Sequence, residues 1–182
     1  MATTTTKLMT FAEFEQLPNP PEGYRLELRH GELFQVAPPK FDHFMMQQVL
    51  RDLLDKAAGG AGRAYTEVAF RAVPDHEFRV ADVAYARHER WAGGKLAGFF
   101  AGAPEIVIEV LSPSNTATEM LDKEKLCLEN GCQEFWIVDP TLRLVKVSTP
   151  DSRAITYNTG QEIPLFFGGS LAVDAIFTPA EG

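Results

Sequence analysis

The sequence predicts an α/β fold, a central mixed β-sheet flanked by helices, on three observations. After Asp42, the residues Met46, Val49, Leu50, Leu53, Leu54 and Ala57 keep the three-four rhythm of one buried helix face. The run from Glu105 to Leu111 is apolar on both sides of an extended chain, as in a strand covered on both faces. A helix from about Thr118 to Asn130 joins that run to a second strand at Phe135 to Val138, giving a right-handed crossover. Helices packed on a partly antiparallel sheet satisfy all three.

The remaining elements follow in order. Residues 1–9 read as a disordered, Thr-rich tail, and 10–178 as one domain. Thr10-Phe11-Ala12-Glu13 has the form of a capping box opening a helix that ends near Leu17, before Pro18, Pro20 and Pro21. Tyr24 to Leu28 and Glu32 to Val36 form a hairpin around His30-Gly31. Asp42 is the expected cap of the long helix, and Gly59-Gly60 its end. Strands are expected at Ala64 to Phe70 and Val80 to Ala86, then a Gly-rich loop from Gly93 to Gly102. Closing strands are expected at Leu142 to Val147, Ala154 to Tyr157 and Leu171 to Phe177.

Composition narrows the function classes. At 182 residues the chain can bury a full core. No apolar run approaches the ~18 residues of a membrane span, and the N-terminus lacks a signal-peptide core, so no membrane partner and a cytoplasmic location are expected. Cys127 and Cys132 have neither zinc-site spacing nor a disulfide framework and read as reduced structural thiols. The net charge of −8 argues against a general polyanion binder. It leaves room for an enzyme that meets nucleic acid through a bound cation.

Two carboxylates do not belong where they fall. Glu109 shares a strand face with Val107 and Leu111, and Asp82 lies between Val80 and Ala84. An ionised acid there is costly without a cation or several donors. Two such acids on neighbouring strands repel unless a divalent metal such as magnesium lies between them. The bland explanation is that each ends its strand or pairs with a base such as Arg79, and the residues alone leave both readings open.

Several stretches resemble one family. Thr10-Phe11-Ala12-Glu13-Phe14, Gly23-Tyr24-Arg25-Leu26-Glu27-Leu28 and Gly31-Glu32-Leu33 look like the opening of the Uma2 family, whose members are read as endonucleases. Ala81-Asp82-Val83-Ala84, the segment Ala103 to Ser114 ending in Ser112-Pro113-Ser114, and Glu134 to Pro140 continue the match, which spans roughly Thr10 to Phe177. That family is similar in fold to the PD-(D/E)XK nucleases, so the resemblance implies a restriction-endonuclease-like core holding a metal between an Asp and a Glu. Carried over, Asp82 and Glu109 are the metal ligands for Mg²⁺ or Mn²⁺. Glu27 matches a further acid, an outer ligand or water-holding group, and His43 matches a histidine at the start of the long helix.

The superfamily lysine would stand at Leu111, where it is missing. The family supplies one from the next helix, eight residues before its terminal glycine, and counting back from Gly131 gives Lys123. Helical geometry leaves Lys123 and Lys125 both open, since both flank the apolar arc of Met120, Leu121, Cys127 and Leu128. Ala81 replaces the proline of the name motif, Cys127 a tyrosine, and Glu119 an Asp; Glu119 could pair with Lys123 at i, i+4.

Ordinary roles compete for the others. Glu27 can pair with Arg25 or Arg29, His43 can complete a helix start, and Glu67 reads as a cross-strand partner, Glu105 as a strand-entry residue and Trp91 as packing. The resulting expectation is a metal-dependent endonuclease acting on DNA, with a homodimer plausible for cutting both strands. Its competitor is a nuclease-fold binding module that has lost catalysis. An RNA or nucleotide phosphoester is the third option.

Overall fold

The computed structural model describes residues 7–94 and 98–178. Its first helix, α1 (Phe11–Phe14), opens on the capping box: Glu13 N donates to Thr10 Oγ1 at 3.3 Å and Thr10 N to Glu13 Oε2 at 2.8 Å. Met9 N donates to Gly31 O at 2.9 Å, which ties residue 9 to the hairpin; residues 1–6 of the expected tail lie outside the described residues.

Strands β1 (Arg25–Arg29) and β2 (Glu32–Val36) pair antiparallel. His30 and Gly31 between them take φ of 49° and 78°, the left-handed pair that a type I′ turn requires. The long helix α2 (Phe41–Ala58) is capped by Lys40, without a side-chain bond, rather than by Asp42. The chain turns helical as soon as Pro38 and Pro39 are passed, which leaves Asp42 in the first turn, where a negative charge favours the helix dipole. Gly59, at φ 54°, ends it.

Next come β3 (Gly62–Arg71), β4 (Arg79–Arg87), α3 (His88–Gly94), β5 (Phe100–Ala101), β6 (Ile106–Val110), α4 (Ala117–Glu129) and β7 (Glu134–Asp139). The chain closes with β8 (Leu144–Ser148), β9 (Ala154–Asn158), β10 (Glu162–Pro164), β11 (Ser170–Ala172) and α5 (Val173–Phe177). Two expectations are corrected. The segment from Gly93 to Gly102 is not all loop, because α3 runs into it and β5 ends it; residues 95–97 are outside the described residues. Packing explains α3: the Trp91 indole donates to Arg63 O at 2.8 Å and its ring meets Tyr65 and Phe100 edge-on. The strand expected from Leu171 to Phe177 stops at Ala172, and α5 follows with Val173 and Ile176 buried three residues apart.

Seven strands form one mixed sheet in the order β5-β3-β4-β6-β7-β8-β9. A crossover joins the two expected strands: β6 and β7 are parallel and α4 connects them. One core cluster holds Leu50 and Leu54 of α2 with Val83, Tyr85, Ile106, Ile108 and Trp136. The other holds Cys127 of α4 with Ala84, Val107 and Phe135. The sheet is thus covered on both faces, and Cys127 and Cys132 are free buried thiols. Among the described residues no helix is long and apolar enough to cross a membrane.

Candidate active site

The site begins where two central strands part. β4 and β6 pair from Tyr85–Ile106 to Val83–Ile108, and one further step in the same register sets Asp82 opposite Glu109. The ladder stops there, which frees backbone groups in the middle of a covered sheet; such groups must find partners. Side chains supply them. Asp82 N donates to Glu109 Oε1 at 3.4 Å, and Val110 N donates to Asp82 Oδ2 at 2.8 Å. Each acid thus reaches the other's strand, with Asp82 7% and Glu109 6% exposed. Arg79, the base that could have neutralised them, is engaged elsewhere, by Glu77 at 2.7 Å and Asp122 at 2.9 Å.

The two helix lysines differ in burial and in partners. Lys123 is 6% exposed, and its ammonium lies 2.7 Å from Glu109 Oε1 and donates to Val80 O, also at 2.7 Å. Val80 is two residues before Asp82, so this lysine bridges both parted strands. The Lys125 side chain is 70% exposed and pairs with Glu129. Glu119 does not reach Lys123 as expected; it caps α4 through Thr116 and meets Arg29 Nη1 at 3.0 Å.

His43, in the first turn of α2, lies with Nε2 3.1 Å from Asp82 Oδ2. Glu27 is buried between Arg25 Nε at 3.5 Å and Arg29 Nε at 3.0 Å. Its charge acts on Lys123 and Glu109, but it bonds to neither, so the pairing with its arginine neighbours accounts for its direct contacts.

Sequence reasoning missed two neighbours. Gln47 is fully buried, and its Nε2 donates to Asp82 Oδ1 at 3.1 Å and to Glu67 Oε1. Its position was the available signal: it precedes Leu50 by three residues, Leu54 by seven and Ala58 by eleven, and so lies on the buried stripe of α2. Glu67, read as a cross-strand partner, is held by Gln47 and Arg25 instead. Glu105 accepts from Arg87 N and is structural.

Burial and charge act against each other here. Burial alone raises the Asp82 carboxyl, but the hydrogen bond and charge of His43, with Lys123 and Val110 N, hold it below its usual range. The Glu109 carboxyl is pushed up to about 7 by burial, with Lys123 opposing and Asp82 adding to the rise. Burial works against the Lys123 charge, yet Glu109, Glu27 and Asp82 keep it an ammonium. The His43 imidazole is raised chiefly by its hydrogen bond to Asp82.

These donors suit a hard divalent cation. Among the described residues no three His, Cys, Asp or Glu side chains converge as a metal cage. Magnesium does not need one, since it binds through one or two carboxylates and keeps several waters; manganese shares the preference for carboxylate and water. The repulsion between Asp82 and Glu109, which Lys123 opposes, is the feature of the site that such a charge would remove.

The architecture is a covered mixed sheet whose central strands part at a buried Asp–Glu pair, with a lysine from the crossover helix beside it. The chain belongs to the Uma2 family, whose description is "Putative restriction endonuclease" and whose model matches residues 11–174. Its fold is similar to the crystal structure of a "putative nuclease belonging to DUF820" from Anabaena variabilis, with a TM-score of 0.78 and 23% identity over 93% of this chain and 97% of that one. The search of curated proteins gave no match.

Proposed function

We propose that this protein is a divalent-cation-dependent endonuclease that hydrolyses phosphodiester bonds in DNA. The observation that carries the reading is the reciprocal arrangement of Asp82 and Glu109 at the parted strands, with Lys123 buried against Glu109. Membership of a family described as a restriction endonuclease supports it.

Asp82 and Glu109 would hold Mg²⁺ or Mn²⁺. When bound, that cation supplies charge neutralisation at the phosphoryl oxygens and acidifies water. The chain's own groups do the rest. Lys123 gives two of its N–H donors to Glu109 and Val80 O, which leaves a third for a phosphate oxygen or the attacking water. His43 keeps the Asp82 carboxylate ionised and turned toward α2. Glu27 sets the field at Lys123 through space, held between its two arginines.

The competing reading, a binding module, has one observation in its favour: Lys123 already closes an ion pair with Glu109. Nicking of supercoiled plasmid in Mg²⁺ or Mn²⁺ separates the two. Cleavage by the natural protein that disappears in Asp82→Ala and in Glu109→Ala is the expected result. If the cation leaves plasmid, linear duplex and single strands intact, the endonuclease reading fails; cleavage confined to RNA would correct the substrate. Two copies acting together would cut both strands of a duplex, a state that sedimentation on DNA would reveal.

A further inference from the structure

The β3–β4 ladder pairs Thr66 with Val83 and Val68 with Ala81, but skips Glu67 and Asp82 between them. Glu67 takes φ 53°, a left-handed conformation uncommon for a residue other than Gly, Asn or Asp. The sheet changes faces across this step. Ala64, Val83 and Tyr85 belong to the core cluster beneath α2, whereas Val68, Phe70 and Ala81 belong to the one that includes α4. Glycine would make the change without strain, so the glutamate has a use here that the backbone does not explain.

Its carboxylate is gripped from two sides, Oε2 by Arg25 Nη1 and Oε1 by Gln47 Nε2. The same Gln47 nitrogen donates to Asp82 Oδ1, while His43 and Val110 N occupy Asp82 Oδ2. Ionised carboxylates only accept, so Glu67 and Asp82 both demand the NH₂ end of the Gln47 amide. That orientation leaves Gln47 Oε1 buried without a partner, a cost the two acids impose.

We infer that Gln47 and Glu67 are positioning residues: Gln47 fixes the rotation of the Asp82 carboxylate, and Glu67, anchored by Arg25, fixes the Gln47 amide. This rests on the reading of Asp82 as a cation ligand. Residues that orient a ligand typically change metal affinity by roughly 10- to 100-fold when removed.

Mn²⁺ titration followed by electron paramagnetic resonance, with melting temperatures recorded in parallel, tests it. Gln47→Met and Glu67→Leu should weaken Mn²⁺ binding by about that factor without lowering the melting temperature to match. Glu67→Gln, which keeps an acceptor for Gln47, should recover most of the affinity. Unaltered binding in Gln47→Met overturns the inference, as does a Glu67→Gln variant no better than Glu67→Leu. Wild-type protein that binds no Mn²⁺ at all would defeat the cation reading, and the Gln47 side-chain amide protons would then decide the positioning claim by themselves. Slow solvent exchange of both protons in the metal-free wild type is the expected result, and rapid exchange overturns the claim even if no variant folds.

Discussion

Lys123 joins the two parted strands at the site. Its ammonium meets the Glu109 carboxylate and the carbonyl of Val80, which lies beyond the end of the β4–β6 ladder, in surroundings where an unpaired charge is costly. Replacing it with methionine keeps the length and removes both bonds. Breaking a buried pair by removing one partner costs about 3–5 kcal/mol, and Lys123→Met should lose stability on that scale in metal-free urea denaturation. Mg²⁺ should restore more stability to the variant than to the wild type, because the cation takes over the neutralisation of Glu109. Equal Mg²⁺ effects on the two proteins would mean that the ion does not act at this acid.

Elements come together around the site through a second charge network. Arg79 of β4 meets Glu77 at 2.7 Å and Asp122 of α4 at 2.9 Å, and His30 of the hairpin turn lies 2.6 Å from the same Asp122. Burial pulls the Asp122 carboxyl up, but the hydrogen bonds from His30 and Arg79 outweigh it and hold the group below its usual 3.8. A carboxyl depressed in the folded state contributes stability above its unfolded value and loses it as pH falls through the folded one. Wild type should therefore be more stable than Asp122→Asn near neutrality, with the gap closing as pH is lowered below about 4; urea midpoints across that range measure it. The elements legible in the sequence were those with local signatures: the capping box of α1, the hairpin, the stripe of α2 and the doubly apolar β6. The helical end of 171–177 was hidden because Val173 and Ile176 suit either a strand or a short helix. Of the site, the acids were legible because they interrupt apolar strands. Lys123 needed a family spacing, Gln47 was marked only by its place on the buried stripe of α2, and Glu67 depends on a change of sheet face that no residue pattern announces.

At the scale of the whole molecule, an acidic chain with a net charge of −8 has little general attraction for a polyanion. Its covered seven-stranded sheet instead holds a buried Asp–Glu pair and a buried lysine where β4 and β6 part, between α2 and α4. Under the proposed function, phosphate recognition would fall to that point and to the cation held there. Anomalous diffraction from a crystal soaked in Mn²⁺ tests this most directly. The predicted result is a peak within roughly 2.1 Å of carboxylate oxygens from both Asp82 and Glu109, with Lys123 still in reach. A map with no peak there, and with Glu109 closed on Lys123 alone, would contradict it.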